Sequence, residues 1–256
     1  MDVTTRRGAI EELITRVGEV QFAELAERFG VSEMTVRRDI EALQKAGVVR
    51  RVSGGAIAAG STALEPPYDT RAGHAAGPKA RIAAAVVDLL VPGETVALDS
   101  GSTVAAVAAA IRGRGLGLTV LTPAIGVALT LADEPDTTVI LTGGVVRPGE
   151  HSLIGSEAEG LFARFNCDTF VIGVAGVDAE RGLSDYHPAE AGVKRAAITA
   201  SRRLIVGADA SKLGRVHLAS VAPLDRVAAL VTDADPSDPT VVAASATGAA
   251  VVHVHP

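Results

Sequence analysis

The stretch Asp99-Ser100-Gly101-Ser102-Thr103 follows a short apolar run, 95–98, and precedes an alanine-rich segment that extends to Ile111. The order strand, small polar loop, helix leaves the first N–H groups of the helix without intrahelical partners, at the positive end of its dipole. Such a loop is suited to bind a phosphate, and Gly101 permits the tight backbone that it needs. Taken alone, the loop is better explained as an ordinary strand-to-helix turn with a serine N-cap, because such turns occur in every α/β protein.

The chain around this loop alternates apolar runs with helical stretches. The runs lie at 95–98, 118–121, 137–141, 169–172, 204–206, 227–231 and 251–254. The candidate helices lie near 79–90, 103–111, 124–132, 156–165, 188–201 and 238–246. Continuous apolar strands separated by helices predict an α/β domain with a mainly parallel sheet that is covered on both faces. Ligands of such sheets bind at the carboxyl ends of the strands.

Small, hydroxyl, acidic and lysine residues follow several of these strands. Besides 99–103, they are Thr122-Pro123, Thr142-Gly143-Gly144, Gly173, Gly176-Val177-Asp178 and Asp209-Ala210-Ser211-Lys212. Each glycine alone fits turn geometry, and Lys212 alone fits a solvated charge. Together they predict a pocket for a phosphorylated polyol, in which glycines admit the ligand, carboxylates accept from its hydroxyls and Lys212 neutralises its phosphate.

The first 57 residues have a different pattern, which predicts amphipathic helices at about 5–17, 22–29 and 33–46. Gly18 ends the first helix, Gly30 ends the second, and Ser32 is the expected N-cap of the third. Two short helices joined by a tight turn predict a helix-turn-helix. The run 48–56 alternates apolar and basic residues and closes on a double glycine, which predicts a small β-hairpin wing.

The third helix places Val36, Ile40 and Leu43 on one buried stripe, at about 100° per residue. Its opposite face and flanks carry polar and basic side chains near the helix start, which suits the major groove of DNA. The candidate DNA contacts on this helix and the wing are Ser32, Met34, Thr35, Arg37, Arg38, Lys45, Arg50 and Arg51. A three-helix interaction module with solvated charges is the alternative that this pattern leaves open.

The charge distribution favours a DNA-binding segment, although the net charge of −6 does not. Residues 1–56 hold nine Lys/Arg and nine Asp/Glu, so the rest of the chain carries the deficit. Within 34–56, basic residues outnumber acidic ones by five to two. A local basic surface on an acidic chain is typical of a DNA-reading module attached to another domain.

Other residue types exclude several classes of protein. The single cysteine, Cys167, rules out an internal disulfide framework and is expected to pack as a small apolar residue. Apolar runs fall short of the ~20 residues of a membrane span, so we expect a cytoplasmic protein with no membrane partner. The histidines show no metal-ligand spacing, and we expect neither a metal nor a cofactor.

The string Ser32-Glu33-Met34-Thr35-Val36-Arg37-Arg38-Asp39-Ile40, followed by Leu43, Gly47 and Gly54-Gly55-Ala56, resembles the winged helix-turn-helix of the DeoR family of bacterial transcription regulators. The rest of the chain resembles that family's sugar-phosphate-sensing domain, which is related to ribose-5-phosphate isomerase. The matching stretches are Lys79, Ile82-Ala83, 99–103, 142–144, Leu153-Ile154-Gly155, 173–178, Glu190, Lys194, Asp209 and Ser211-Lys212. Ser53 and Thr122-Pro123-Ala124 depart from the family pattern.

The resemblance implies a DNA-binding repressor of sugar-metabolism genes, controlled by a phosphorylated sugar. We expect a winged helix-turn-helix at 1–57, a linker rich in Ala, Gly, Ser and Pro at 58–78, a sensing domain at 79–256, and assembly into a homo-oligomer, dimer or tetramer. The predicted effector contacts are Asp99, Ser100, Gly101, Ser102, Thr103, Thr122, Gly143, Gly144, Gly155, Gly176, Asp178, Glu190, Asp209 and Lys212. The alternative is a sugar-phosphate isomerase with an appended DNA-binding segment, in which Asp99, Asp178, Glu190 or Asp209 supplies a general base.

Overall fold

The computed structural model describes residues 2–46, 49–58, 65, 68–73 and 75–255. The chain divides into two compact units, Met1–Thr70 and Arg71–Pro256. The boundary falls inside the predicted linker 58–78, part of which lies outside the described residues. Its described part contains the helix Tyr68–Gly73 and the start of a longer helix at Ala76, neither of which the sequence predicts. A helix of six residues is too short to show an amphipathic period, so its sequence carries no signal.

The first unit contains the predicted helix-turn-helix and wing. Its helices are α1 (Val3–Val17), α2 (Phe22–Phe29) and α3 (Glu33–Lys45), and its strands are β1 (Glu19–Gln21), β2 (Val49–Val52) and β3 (Gly55–Ala58). The strands form an antiparallel sheet in the order β1-β3-β2. The strand β1 was not predicted because three residues give no period, and only its pairing with β3 defines it.

Local sequence signals fix the helix ends of this unit. Gly18 and Gly30 adopt the left-handed conformation, with φ of 80° and 62°, and end α1 and α2 as predicted. Ser32 is the N-cap of α3, where its hydroxyl accepts a hydrogen bond from the Thr35 N–H at 3.3 Å. These caps set the turn between α2 and α3, and so the direction of the exposed face of α3.

Asp39 on α3 has a structural role that the charge count does not reveal. Its side chain is only 2% exposed, and its two oxygens accept from Arg6 Nε at 2.7 Å and from Arg7 Nε at 2.8 Å. The ion pairs join α1 to α3. Because Asp39 is neutralised inside the unit, the exposed surface of α3 is more basic than the sequence indicates.

The second unit consists of a larger set of alternating strands and helices. Its helices are α4 (Tyr68–Gly73, which spans the boundary), α5 (Ala76–Asp88), α6 (Ser102–Ile111), α7 (Ile125–Leu131), α8 (Ser156–Phe162), α9 (Pro188–Thr199) and α10 (Pro239–Ala246). Its strands are β4 (Thr95–Leu98), β5 (Thr119–Thr122), β6 (Thr138–Leu141), β7 (Val145–Val146), β8 (Leu153–Ile154), β9 (Cys167–Gly173), β10 (Gly176–Asp178), β11 (Gly182–Asp185), β12 (Ser201–Gly207), β13 (Ala219–Ala222), β14 (Ala229–Thr232) and β15 (Ala250–His253).

Seven of these strands form one parallel sheet in the order β15-β14-β12-β9-β4-β5-β6. They are the seven apolar runs of the sequence, and the prediction of a parallel sheet is confirmed. Successive residues of β4 alternate between two hydrophobic clusters, since Val96 and Leu98 belong to one and Ala97 to the other. Each cluster covers one face of the sheet, as continuous apolar strands predict. Cys167 is 1% exposed and packs in the core of one face, as expected.

The strand order reverses between β4 and β9. From β4 the chain proceeds through β5 to the β6 edge, and it then returns to the other side of β4 as β9. The carboxyl ends of two strands that diverge in this way leave a crevice, where open α/β sheets bind their ligands. The loop 99–103 begins at this crevice.

Shorter strands lie outside the main sheet and were not predicted. The strands β7 and β8 form an antiparallel hairpin, and β10, β11 and β13 form a small antiparallel sheet. Their two to four residues pair with partners that sequence periodicity cannot identify. Within the described residues, every helix is too short or too polar to cross a bilayer.

Candidate functional site

The exposed face of α3 carries the predicted DNA contacts. Met34 is 60% exposed, and Arg38 is exposed on the same side of the helix, whereas Val36 and Ile40 are fully buried. The remaining predicted contacts are exposed or half-buried: Ser32, Thr35, Arg37, Lys45, Arg50 and Arg51. This arrangement presents cations near the start of a helix, as major-groove recognition requires.

Phe22, the first residue of α2, connects this face to the wing. The guanidinium carbons of Arg37 and Arg51 lie 4.7 Å and 5.6 Å from the centre of its ring. Arg51 also forms an ion pair with Glu41 at 3.3 Å, and its backbone N–H donates to Gln44 Oε1 at 3.2 Å. Two cations against one aromatic ring are positioned together at the groove between α3 and the wing. Sequence reasoning assigned Phe22 only to the core.

In the second unit, Asp99 occupies the crevice where the strand order reverses. Its N–H donates to the Val171 carbonyl at 3.1 Å, and its Oδ2 accepts from the Gly173 N–H at 3.3 Å. Asp99 therefore ties the end of β4 to the end of β9. It is 2% exposed.

Lys194 of α9 is the buried centre of this end of the sheet. Its Nζ donates to Asp99 Oδ2 and to the Gly173 carbonyl, the latter at 2.8 Å, and it lies 3.2 Å from Asp185 Oδ2. The side chain is only 4% exposed. The resemblance to the sensing domain includes Lys194, but sequence reasoning gave it no role, because its partners lie at the ends of three other strands, β4, β9 and β11.

The electrostatics of the cluster follow from burial and these contacts. Burial raises the pKa of Asp99 to about 6, against the opposing effect of Lys194. Burial alone would lower the pKa of Lys194, but the carboxylates of Asp99, Asp185 and Glu190 outweigh it and hold that pKa above its usual value. At neutral pH, Asp99 is therefore a carboxylate that faces a protonated Lys194.

Glu190, one turn before Lys194 on α9, holds the segment between β7 and β8. It accepts from the Ser152 hydroxyl and lies 2.9 Å from an Arg147 guanidinium nitrogen. Burial would raise the pKa of Glu190, but Lys194, Ser152 and Arg147 together hold it below its usual range. Glu190 thus carries a negative charge that fixes this segment.

The loop 99–103 has the backbone of an anion-binding turn. Gly101 is the N-cap of α6 with a φ of 96°, a conformation that side chains rarely adopt, and no side chain among the described residues caps this helix. The alternative of a serine N-cap is therefore not what the structure contains. The first N–H groups of α6 remain available to a ligand.

Arg71 lies beside this loop, although the sequence placed it in a linker. A Cβ built on Gly101 would be 4.0 Å from a guanidinium nitrogen of Arg71. The Arg71 carbonyl accepts from Lys79 Nζ and from Ser102 Oγ, the latter at 3.4 Å. The guanidinium itself forms an ion pair with Glu150. Two cations, Arg71 and Lys79, thus accompany the start of α6.

The ends of β5 and β6 contribute hydroxyls and glycines. Thr122 is buried, and its Oγ1 accepts from the Ala124 N–H at 3.1 Å. Thr142 is 3% exposed, and its Oγ1 has no hydrogen-bond partner among the described residues. Gly143 and Gly144 follow it and are exposed. A buried hydroxyl without a partner at a strand end is a group that a polar ligand can satisfy.

Other predicted effector contacts have local structural partners. Asp209 is the N-cap of the 3₁₀ turn that contains Lys212, two residues after the end of β12, and it accepts from the Ser211 N–H at 3.0 Å. Gly155, with a φ of 100°, is the N-cap of α8. Because β12 lies beside β9 in the sheet, Asp209 and Lys212 follow a strand that neighbours the crevice.

Gly176 and Asp178 belong to the small sheet and not to the cluster around Lys194. A Cβ on Gly176 would lie 2.4 Å from the Arg215 carbonyl oxygen, so close packing already explains this glycine. Asp178 accepts from the N–H groups of Glu180 and Arg181 at 3.0 Å and 2.9 Å, within the β10–β11 turn. Their role as effector contacts stays a prediction, and these contacts give each a structural role.

Gly143 and Gly144 provide a matched test of the strand-end loop. We expect Gly144→Ala to cost about 1–3 kcal/mol from its φ of 118° alone, and more because the new Cβ would lie 2.5 Å from the Ile154 carbonyl oxygen. Gly143→Ala should change stability by less than about 0.5 kcal/mol, since the nearest atom to its Cβ would be 3.6 Å away. Urea unfolding of both variants checks this difference. Equal losses would show that the loop is not held as described.

A winged helix-turn-helix followed by an α/β unit with a polar crevice defines a transcriptional regulator with a sensing domain. The sequence models of known families agree with this class. The DeoR-like helix-turn-helix domain matches residues 6–62, and the DeoR C terminal sensor domain matches residues 75–234. The chain belongs to the DeoR family of DNA-binding transcriptional regulators.

Curated relatives extend over most of the chain. The glycerol-3-phosphate regulon repressor of Escherichia coli K12 is 34% identical over 92% of this chain and 93% of its own length. The transcriptional repressor AccR of Agrobacterium fabrum is 33% identical, covering 89% and 88%. A putative aga operon transcriptional repressor of Escherichia coli O157:H7 is 31% identical, covering 89% and 85%. These relatives are regulators, and the chain is a regulator rather than an enzyme.

Among solved structures, ribose 5-phosphate isomerase A from Methanocaldococcus jannaschii is 16% identical, with a TM-score of 0.40 over 53% of each chain. A probable sor operon regulator from Shigella flexneri is 15% identical, with a TM-score of 0.37 over 54% of this chain and 78% of its own. At these values, neither likeness bears on function.

The carboxylates that an isomerase would use are engaged in structural contacts. Asp99 faces Lys194, Glu190 holds Ser152 and Arg147, and Asp209 and Asp178 cap turns. A general base needs a lone pair that is directed at substrate.

Proposed function

We propose that this chain represses transcription of sugar-metabolism genes and that a phosphorylated sugar bound at the carboxyl edge of the parallel sheet controls its affinity for DNA. The observation that carries the proposal is the loop 99–103, which lies where the strand order reverses. It leads into a helix whose N-cap is a glycine and whose start has no side-chain cap among the described residues. The helix dipole and the cations of Arg71 and Lys79 favour a phosphate there.

Polar groups around the loop supply partners for sugar hydroxyls. The Thr142 hydroxyl lacks a partner among the described residues, and Asp209 and Lys212 follow the neighbouring strand β12. The names of two relatives, a glycerol-3-phosphate regulon repressor and an aga operon repressor, support an effector from carbohydrate metabolism. The effector contacts in this chain are then those predicted from its sequence, with Gly176 and Asp178 the least supported.

Control of DNA binding requires that the phosphosugar prefer one arrangement of the protein. A ligand with equal affinity for the DNA-bound and free forms would change nothing, however tightly it bound. If it favours the free form, the operator affinity falls by the ratio of the two effector affinities, and DNA weakens effector binding by the same factor. We propose that the chain acts as a homo-oligomer, so that two α3 helices read two half-sites.

A thermal-shift screen of phosphorylated sugars against the full chain tests the proposal, with each unphosphorylated sugar as the matched control. A true effector at 100 times its Kd stabilises the folded protein by about 2.7 kcal/mol, and its unphosphorylated partner should not. DNA selected from a random pool then serves as the operator in fluorescence anisotropy. We expect the effector to change operator affinity by about fivefold or more. A folded, DNA-binding protein that responds to no phosphosugar would contradict the proposal.

A further inference from the structure

Arg71 is a residue near the proposed effector site to which sequence reasoning gave no role in effector binding. It is the first residue of the second unit, and α4, in which it lies, contains the boundary between the two units. The residues that precede it in α4, Tyr68 to Thr70, belong to the first unit. Arg71 nevertheless contacts the loop at the far end of β4, which is where the effector phosphate is proposed to bind.

Arg71 lies against this loop with both its backbone and its side chain, and it also contacts Lys79 and Glu150. Its carbonyl oxygen accepts from Lys79 Nζ and from the hydroxyl of Ser102, the first residue of α6. One nitrogen of its guanidinium would be 4.0 Å from a Cβ built on Gly101, the N-cap of α6, and the guanidinium forms an ion pair with Glu150. The side chains of Arg71 and Glu150 are 16% and 10% exposed, so the ion pair is largely withdrawn from water.

Glu150 supplies Arg71 with the negative charge that a bound phosphate could supply instead. A guanidinium beside the positive end of a helix is unfavourable without a counter-charge, and Glu150 supplies that charge. A phosphate bound at the start of α6 carries more negative charge and can accept from a guanidinium through two oxygens at once. Glu150 and the phosphate would therefore compete for the same guanidinium.

Glu150 lies on a segment that is fixed on both sides. Arg147 forms an ion pair with Glu190, and the Ser152 hydroxyl donates to Glu190. His151, between Glu150 and Ser152, has a φ of 54°, which few side chains adopt. Because its neighbours are anchored, Glu150 cannot follow Arg71 freely when the guanidinium turns towards a phosphate.

We propose that Arg71 is a ligand of the effector phosphate, that it leaves Glu150 to bind it, and that this exchange of partners is the step that couples the sensing site to α4. The inference rests on the proposed function, since it names a further residue of that site and the way in which the site acts. Arg71 is absent from the effector contacts predicted from the sequence, which placed it in the linker.

The exchange predicts opposite effects for its two partners. Glu150→Gln removes the competitor, so this variant should bind inorganic phosphate and phosphosugars several-fold more tightly than the unchanged protein. Arg71→Met should weaken both by about tenfold, which corresponds to about 1.4 kcal/mol. Glu150→Gln without effector should also shift operator affinity in the direction in which effector shifts it in the unchanged protein. An ion pair with only a structural role would not tighten phosphate binding when it is broken.

The experiment is calorimetric titration of the full chain with inorganic phosphate and with a panel of phosphosugars, at constant ionic strength. Glu94→Gln is the matched control, because Glu94 forms a comparable ion pair with Arg203 at 3.0 Å at the opposite end of β4. Tighter binding by Glu150→Gln, with Glu94→Gln unchanged, supports the exchange. Phosphosugar binding that neither Glu150→Gln nor Arg71→Met alters overturns the exchange and leaves the proposed function standing. If no phosphate compound binds any variant while all stay folded and bind DNA, both are wrong.

Discussion

Replacing Lys194 with methionine is expected to lower the free energy of unfolding of the second unit by about 3–5 kcal/mol. The ammonium group lies against Asp99 and Asp185 in a buried site, and Glu190 is one helical turn away. Methionine fills a similar volume but leaves these carboxylates without their counter-charge, and desolvated, uncompensated charge is what makes such a truncation costly. Urea unfolding of the full chain, followed by circular dichroism and amide hydrogen exchange, measures the loss.

Two further variants make this result specific. Arg202→Met breaks a surface ion pair with Asp168, at 3.7 Å and with Arg202 84% exposed, and should cost no more than about 1 kcal/mol. Adding Asp99→Asn to Lys194→Met removes one uncompensated charge and should recover part of the loss. Strictly additive losses in this double-mutant cycle would show that the two side chains do not interact as the structure has them.

Replacing Arg38 with alanine should reduce operator affinity by about tenfold to a hundredfold without destabilising the first unit. Arg38 is exposed on the face of α3 that suits the major groove, and it has no ion pair with any described residue. Its loss therefore removes a contact to DNA and leaves the core of Val36, Ile40 and Leu43 intact. Fluorescence anisotropy with the selected DNA measures the affinity, and thermal unfolding checks the fold.

The control for Arg38 is Arg112→Ala, which removes the same charge from an exposed position of the second unit. It should leave operator affinity within a factor of about two, since Arg112 lies outside the DNA-binding unit and exposed charges are largely screened at physiological salt. The dependence on salt then separates two roles of Arg38. If Arg38→Ala lowers the slope of log binding constant against log salt concentration by about one, Arg38 contacts a phosphate. If it relaxes specificity at one base pair, Arg38 recognises a base. An Arg38→Ala protein with unchanged affinity would exclude α3 as the recognition helix.

How far the sequence predicted this fold depends on the range of the interactions involved. The strands of the main sheet are continuous apolar runs, and the glycines that end α1 and α2 act within a single turn, so local patterns identified both. The strands β1, β10 and β13 are three or four residues long, and only their partners define them. The helix α4 was missed because its six residues are too few to show a period, and Arg71 within it contacts Lys79, Ser102 and Glu150.

The candidate site likewise has a part with local sequence signals and a part that depends on contacts between residues far apart in the sequence. The loop 99–103 and the Thr142-Gly143-Gly144 segment carry local signatures of composition and position. The pairing of Lys194 with Asp99 joins residues 95 positions apart, and that of Arg71 with Glu150 joins residues 79 apart. No periodicity links residues at such separations, so neither pair was predicted.

The sequence by itself determined that this chain has a winged helix-turn-helix and a parallel α/β unit, and its motifs identified the DeoR family. It did so because strands, caps and turns depend on residues within a few positions of each other. Only the tertiary structure decided that Asp39 is neutralised by Arg6 and Arg7, and that Lys194 lies among carboxylates. It also decided that Arg71 belongs beside the start of α6, because burial and charge compensation arise only when distant segments meet.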